Sequence, residues 1–204
     1  TFNHYAYCEN NPVTHTVQNK NTSLYSIVDS NYSYNKSISN KITSYIYGQK
    51  NEMVTSLRFG KTTFGPNGCG IVATYNALIM LGSRLDIADI NREYEINGVS
   101  IYGALVMYPA FIARFFKVRG YDVMVSYNVE EFDDNAKEAT ANILYYTHDY
   151  ASHYVALNGT MNNYLIYNLN DDSTDVYFLD KTLEYFASSR KNSMLISISP
   201  KSSV

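Results

Sequence analysis

Tryptophan is absent, and cysteine occurs only twice in 204 residues, at Cys8 and Cys69. Two cysteines are too few for the disulfide framework of a small secreted domain. A structural zinc takes about four soft ligands, and the two Cys and four His are not clustered in finger spacing. No Cys-x-x-Cys pair is present, which argues against dithiol redox exchange. An excess of one charge sign is also missing. The 16 Lys and Arg against 19 Asp and Glu leave a net charge of −3, and the basic residues are scattered. The chain therefore lacks a nucleic-acid footprint. No apolar run reaches the ~18 residues of a membrane span. The chain starts at Thr1 rather than Met. Removal of a signal peptide or excision from a longer protein would each explain that start. The first makes a secreted or cell-surface location the expectation, with a cytoplasmic one as the alternative.

What is present is ample core material: 46% hydrophobic residues, 21 of them Tyr. Residues 1–40 are rich in Asn, Ser, Tyr and Thr and read as a loosely ordered polar arm. Residues 41–204 read as one domain. Within it, Ile42–Tyr47 and Met53–Phe59 are expected to form a strand pair. A glycine-rich loop, Phe64–Gly70, precedes a helix over 71–81 that Gly82 ends. Further helices are expected over 85–95, with Ser83 or Asp86 as cap, and over 104–118, stopped by Gly120. Short runs rich in Val, Ile, Tyr and Phe then follow at 121–127, 142–147, 153–157, 164–168, 176–179 and 193–198, with a helical stretch at 181–189. Helices first and an antiparallel sheet later is the α+β class, with N-terminal helices packed on a C-terminal sheet.

Cys69 stands between two glycines where the loop meets a helix. Unpaired N–H groups and the dipole at a helix N-terminus favour negative charge. A thiol there is expected to have a lowered pKa and more nucleophilic thiolate. The same N–H groups suit the oxyanion of a tetrahedral intermediate. The competing reading is an inert, buried small hydrophobe. A thiol nucleophile needs a base. His4 and His15 lie in the arm and His148 in a turn, whereas His153 opens a strand and shares a face with Val155 and Leu157 by alternation. A strand fixes a catalytic ring better than a loop does. A hairpin between the strands at 153–157 and 164–168 returns Asn168 to the neighbourhood of His153, where an amide orients an imidazole. Asn170, Asp171 and Asp172 compete for that place, with a solvated turn as their plainer reading.

These residues carry a resemblance. Asn67-Gly-Cys-Gly-Ile-Val-Ala-Thr-Tyr-Asn-Ala-Leu78, His153-Tyr-Val-Ala-Leu-Asn-Gly159 and Ile166-Tyr-Asn-Leu-Asn170 resemble the papain-like cysteine peptidases, and within them the bacterial bacteriocin-processing branch that removes double-glycine leaders. Asn168 follows His153 by 15 residues, as an Asp or Asn does in that branch. The resemblance covers residues 60–200. It implies a papain-like fold and hydrolysis of peptide or amide bonds through a thioester, with Cys69, His153 and Asn168 as triad. Peptide or protein substrates are implied, and neither metal nor organic cofactor. The family usually places a Gln shortly before the cysteine as an oxyanion donor, and residues 63–68 contain none. Asn67 has the same amide chemistry, with the Cys69 N–H as second donor. Its plainer reading is a turn residue after Pro66, and Gln49 is a more distant alternative donor. Two other functions share these residues: a transglutaminase-like acyl transferase, and a papain-like protein that binds without catalysis.

Overall fold

A computed structural model describes residues 22–97, 108–148, 151–160 and 163–201. His4, Cys8, His15 and residues 104–107 of the third expected helix lie outside the described residues.

The centre of the fold is helix α4 (Cys69–Met80), which buries Gly70 through Leu78 without interruption. A helix buried over nine consecutive residues has no solvent face there and sits inside. Around it, in chain order, come α1 (Thr22–Ser39), α2 (Glu52–Thr55), β1 (Arg58–Phe59), β2 (Thr62–Thr63) and α3 (Phe64–Asn67). After α4 follow α5 (Ile87–Ile96), α6 (Pro109–Lys117), β3 (Tyr121–Ser126), α7 (Phe132–Glu138), β4 (Ala141–His148), β5 (Ala151–Gly159), β6 (Tyr164–Tyr167), β7 (Tyr177–Leu179), α8 (Leu183–Ser188) and β8 (Lys191–Pro200). Asp86 caps α5 by accepting the Ala88 N–H, and Pro109 opens α6, where its missing N–H costs nothing. Gly82 and Gly120 end α4 and α6 at positive φ.

Among the described residues one six-stranded sheet forms, in the order β3-β8-β4-β5-β6-β7, with every neighbouring pair antiparallel. Its two faces are both covered. Ile143, Tyr154, Ala156, Met194 and Ile196 pack towards α4, α5 and α6. Leu144, Val155, Leu157 and Leu195 alternate with them and pack towards α7 and α8. This period-two division makes three layers, helices, sheet and helices. The α+β architecture, with helices before the sheet, is as the sequence leads one to expect. The α7 layer is an addition.

Two segments differ from expectation. Residues 22–39, expected to be loosely ordered, form α1, an 18-residue helix. Its inward side is Val28, Asn31, Asn35 and Ser39, spaced three and four apart. Asn35 donates to the carbonyl of Arg58 and accepts the Arg58 N–H. Asn31 donates to the Gly60 carbonyl and to Glu95, a carboxylate buried in α5. A helix that docks through amides has no apolar stripe to betray it. Residues 42–59, expected as a strand pair, form instead an irregular strap (42–50), α2 and β1, which pairs with β2 in a small hairpin. At its middle the strap finds its backbone partners on a side chain: Asn76 of α4 accepts the Ile46 N–H at 2.9 Å and donates to the Ile46 carbonyl at 2.8 Å. Its amide does for Ile46 what a neighbouring strand would do.

Candidate active site

Cys69 is the first residue of α4, after the one-turn helix α3. Gly68 between them lies so close to Phe64 that a Cβ there would meet that side chain at 2.6 Å. Gly68 joins α3 to α4 in right-handed helical conformation, at φ −83.

The strand side of the site comes from β5. Among the described residues, β6 pairs with β5 over Ala156–Gly159, and the first part of β5 pairs with β4. Cys69 packs against the core cluster that contains Tyr154, and the backbone N–H groups of Tyr154, Gly70 and Cys69 itself pull the thiol pKa down. Tyr154 directly follows His153. The helix N-terminus therefore meets the strand beside the candidate base.

His153 is half-buried and faces the α7–α8 side, with its ring edge-on to Tyr146 at 5.9 Å. Its Nε2 lies 2.6 Å from the main-chain oxygen of Asn168. A carbonyl can only accept, so Nε2 carries the proton in the neutral ring and Nδ1 keeps a free lone pair. Sequence reasoning brings Asn168 to His153 correctly, but through a different atom: the contact is the main chain, not the amide.

That amide is used elsewhere. Asn168 is fully buried with φ 63, a left-handed conformation that Asn tolerates better than most residues. Its Oδ1 accepts the Gln49 backbone N–H at 2.8 Å, and its Nδ2 donates to Gln49 Oε1 at 3.1 Å. Gln49, also buried, donates from Nε2 to the carbonyl of Gly65 at 2.7 Å. The neighbouring strap is fastened too. Lys50 N–H donates to the Asp171 carbonyl, Lys50 Nζ pairs with the Asp171 carboxylate at 3.0 Å, and the rings of Tyr45 and Tyr167 stack at 4.4 Å. Gln49 is thus the amide at the centre of the site's hydrogen bonding, while Asn67 ends α3 half-buried, two residues before the thiol. Polar residues in a segment without periodicity give no sequence signal for such a role.

The electrostatics oppose the expected thiolate. Desolvation pushes the Cys69 thiol up to about 11, against the pull of the three N–H groups, and the Asp171 charge pushes the same way as burial. Burial lowers the pKa of His153, while the Asn168 carbonyl and Asp171 raise it. The resting site at neutral pH is a thiol with a neutral imidazole. The helix-terminus effect is present but smaller than the cost of drying the sulfur. Among the described residues no group of three or more His, Cys, Asp or Glu could hold a metal ion, and no helix is long and apolar enough to cross a membrane.

No protein-family model matches the chain, and no curated protein matches it. Among solved structures it is similar to the peptidase domain of Streptococcus ComA, described as a bi-functional ABC transporter involved in a quorum-sensing pathway. That likeness has 18% identity and a TM-score of 0.46, and covers 65% of this chain and 91% of that one.

Proposed function

We propose that the chain is a papain-like cysteine peptidase that hydrolyses peptide or amide bonds, with Cys69 as nucleophile, His153 as base and Asn168 as the group that orients it. The observation that carries this reading is the junction of Cys69 and β5. The N–H of Tyr154, the residue after His153, acts on the thiol, and the Asn168 carbonyl at 2.6 Å from His153 Nε2 favours the neutral tautomer whose Nδ1 can accept a proton.

In the proposed reaction the Cys69 proton passes to His153 Nδ1 as the sulfur attacks the carbonyl carbon. The backbone N–H of Cys69 and the amide of Asn67 are the proposed oxyanion donors, each worth roughly 3–4 kcal/mol to the transition state. The imidazolium returns its proton to the leaving amine, giving a thioester. Water, deprotonated by His153, attacks the thioester, and the thiol is restored as the acid leaves. An acyl transferase would accept an amine instead of water at the last step, and product analysis with and without added amine separates the two.

The test is hydrolysis of a peptide library by the parent, Cys69→Ala and His153→Ala. Loss of turnover in both variants is expected, and parent-like turnover in Cys69→Ala would sink the reading. One observation favours the second reading, a binding protein without catalysis: a thiol pushed up to about 11 holds little thiolate at neutral pH. Failure of the parent to cleave any library member, with peptide binding intact, would establish it.

A further inference from the structure

Gln49 touches both halves of the candidate site without belonging to either. Through Nε2 it holds the Gly65 carbonyl, four residues before Cys69. Through its backbone N–H and Oε1 it holds the amide of Asn168, whose carbonyl meets His153. The chain between is short and stiffly held. Asn76 of α4 fixes Ile46 at both backbone groups, Gly48 is pressed against the backbone of Asp171 and Ser173, where a Cβ would meet Ser173 O at 2.6 Å, and Lys50 is paired with Asp171. Gln49 and Asn168 are both buried, so water does not compete for these bonds.

We propose that Gln49 is a positioning residue: it clasps the Asn168 side chain, holds that residue in its left-handed conformation, and so aims the Asn168 carbonyl at His153 while tying the loop before Cys69 to the same point. The proposal rests on the peptidase reading for its meaning in catalysis, but the clasp itself is a statement about the His153 ring. In this arrangement the Asn168 side chain does not orient the histidine directly. It acts through Gln49 and its own main chain. A buried amide with partners on two loops is suited to this, because unmaking either bond leaves a desolvated polar group.

The test uses the full chain and two readouts. The first is the His153 tautomer, read from the ring nitrogen shifts of 15N-labelled protein. The second is the rate of Cys69 alkylation by a peptide electrophile across pH. Gln49→Met keeps the volume and removes the side-chain bonds. Asn168→Gly keeps the carbonyl and accepts the positive φ without strain, but deletes the clasp. The parent is expected to show the Nε2-protonated ring alone. Each variant is expected to show a tautomer mixture and alkylation about tenfold slower or more, and the double variant to lose less than the sum of the two, because both remove the bond from Asn168 Nδ2 to Gln49 Oε1. A single Nε2–H tautomer with the parent's alkylation profile in a folded Gln49→Met overturns the proposal. So do additive losses in the double variant. If Gln49→Met does not fold, Asn168→Gly with an unchanged tautomer overturns it equally. The two readings fail separately. Alkylation of the parent that ignores His153→Ala counts against the peptidase, whereas the tautomer readout judges the clasp alone.

Discussion

His153 and Asn168 meet at 2.6 Å through Nε2 and a main-chain oxygen, so that Nδ1 is the nitrogen without a proton in the neutral ring. An orienting group that is a carbonyl cannot itself titrate. The pH response of the site therefore belongs to His153, Cys69 and the charge of Asp171.

The first prediction concerns that response. Burial lowers the His153 pKa below its ordinary 6.5, so the base is already neutral at pH 6.5. The acid limb of kcat/KM is expected below pH 6.5. Asp171→Asn removes a charge that raises both groups. It should move the acid limb further down and lower the pH at which the thiol becomes reactive. A pH–rate profile and alkylation kinetics check both directions, and an upward movement of either would contradict the assignment.

Glu95 gives a stability prediction with a definite sign. Burial raises its pKa from 4.5 to about 7, against the hydrogen bonds from Asn31, the Gly60 N–H and Asn91. The folded state thus holds this proton more tightly than the unfolded chain. Its contribution is fully present below about pH 4.5 and is lost as pH rises through about 7, on the order of 3 kcal/mol in all. Glu95→Gln removes this titration. The stability of the parent relative to Glu95→Gln should fall across that window in denaturant melts, and a pH-independent difference would refute the assignment.

Asn76 is expected to be a stability residue by virtue of the strap. Asn76→Leu is close in size but leaves the Ile46 N–H and carbonyl without their partner. A desolvated group of this kind costs roughly 1–3 kcal/mol. Urea unfolding should show a loss of that order, with faster hydrogen exchange at Ile46 than in the parent.

Two glycines should respond differently to alanine. At Gly48 an added Cβ would stand 2.6–2.7 Å from backbone atoms of Asp171 and Ser173, which cannot yield without moving the loop that carries Asn168. Gly48→Ala is expected to cost roughly 1–3 kcal/mol and to disturb the His153 ring signal. At Gly82 nothing lies within 4 Å, and only φ +71 opposes the change. Gly82→Ala is expected to cost about 1 kcal/mol and leave that signal unmoved. Calorimetry and the ring spectrum distinguish them.

Much of the fold is legible in the chain because its elements have regular periods. The alternation in 153–157 places Val155 and Leu157 on one face and Tyr154 and Ala156 on the other, and the two sheet faces divide in that way. The helices at 69–80 and 87–96 carry their apolar residues and their ends in the sequence. The polar contacts of α1 and of the strap 42–50 are not legible. Asn31, Asn35, Asn76 and Gln49 look like surface residues, and their burial depends on partners 16 to 119 positions away.

The sequence by itself determined the α+β class and the choice of Cys69, His153 and Asn168 as the residues to consider, since glycine junctions, strand alternation and hairpin return are local. Tertiary structure alone decided the atoms and the charge. It put the Asn168 carbonyl rather than its amide on His153, gave the amide to Gln49, and dried the thiol enough to raise its pKa where the helix terminus alone would lower it. Hydrogen-bond partners and desolvation depend on what the rest of the chain brings to a point in space. A feature as sparse as the second cysteine acquires its protonation state only there.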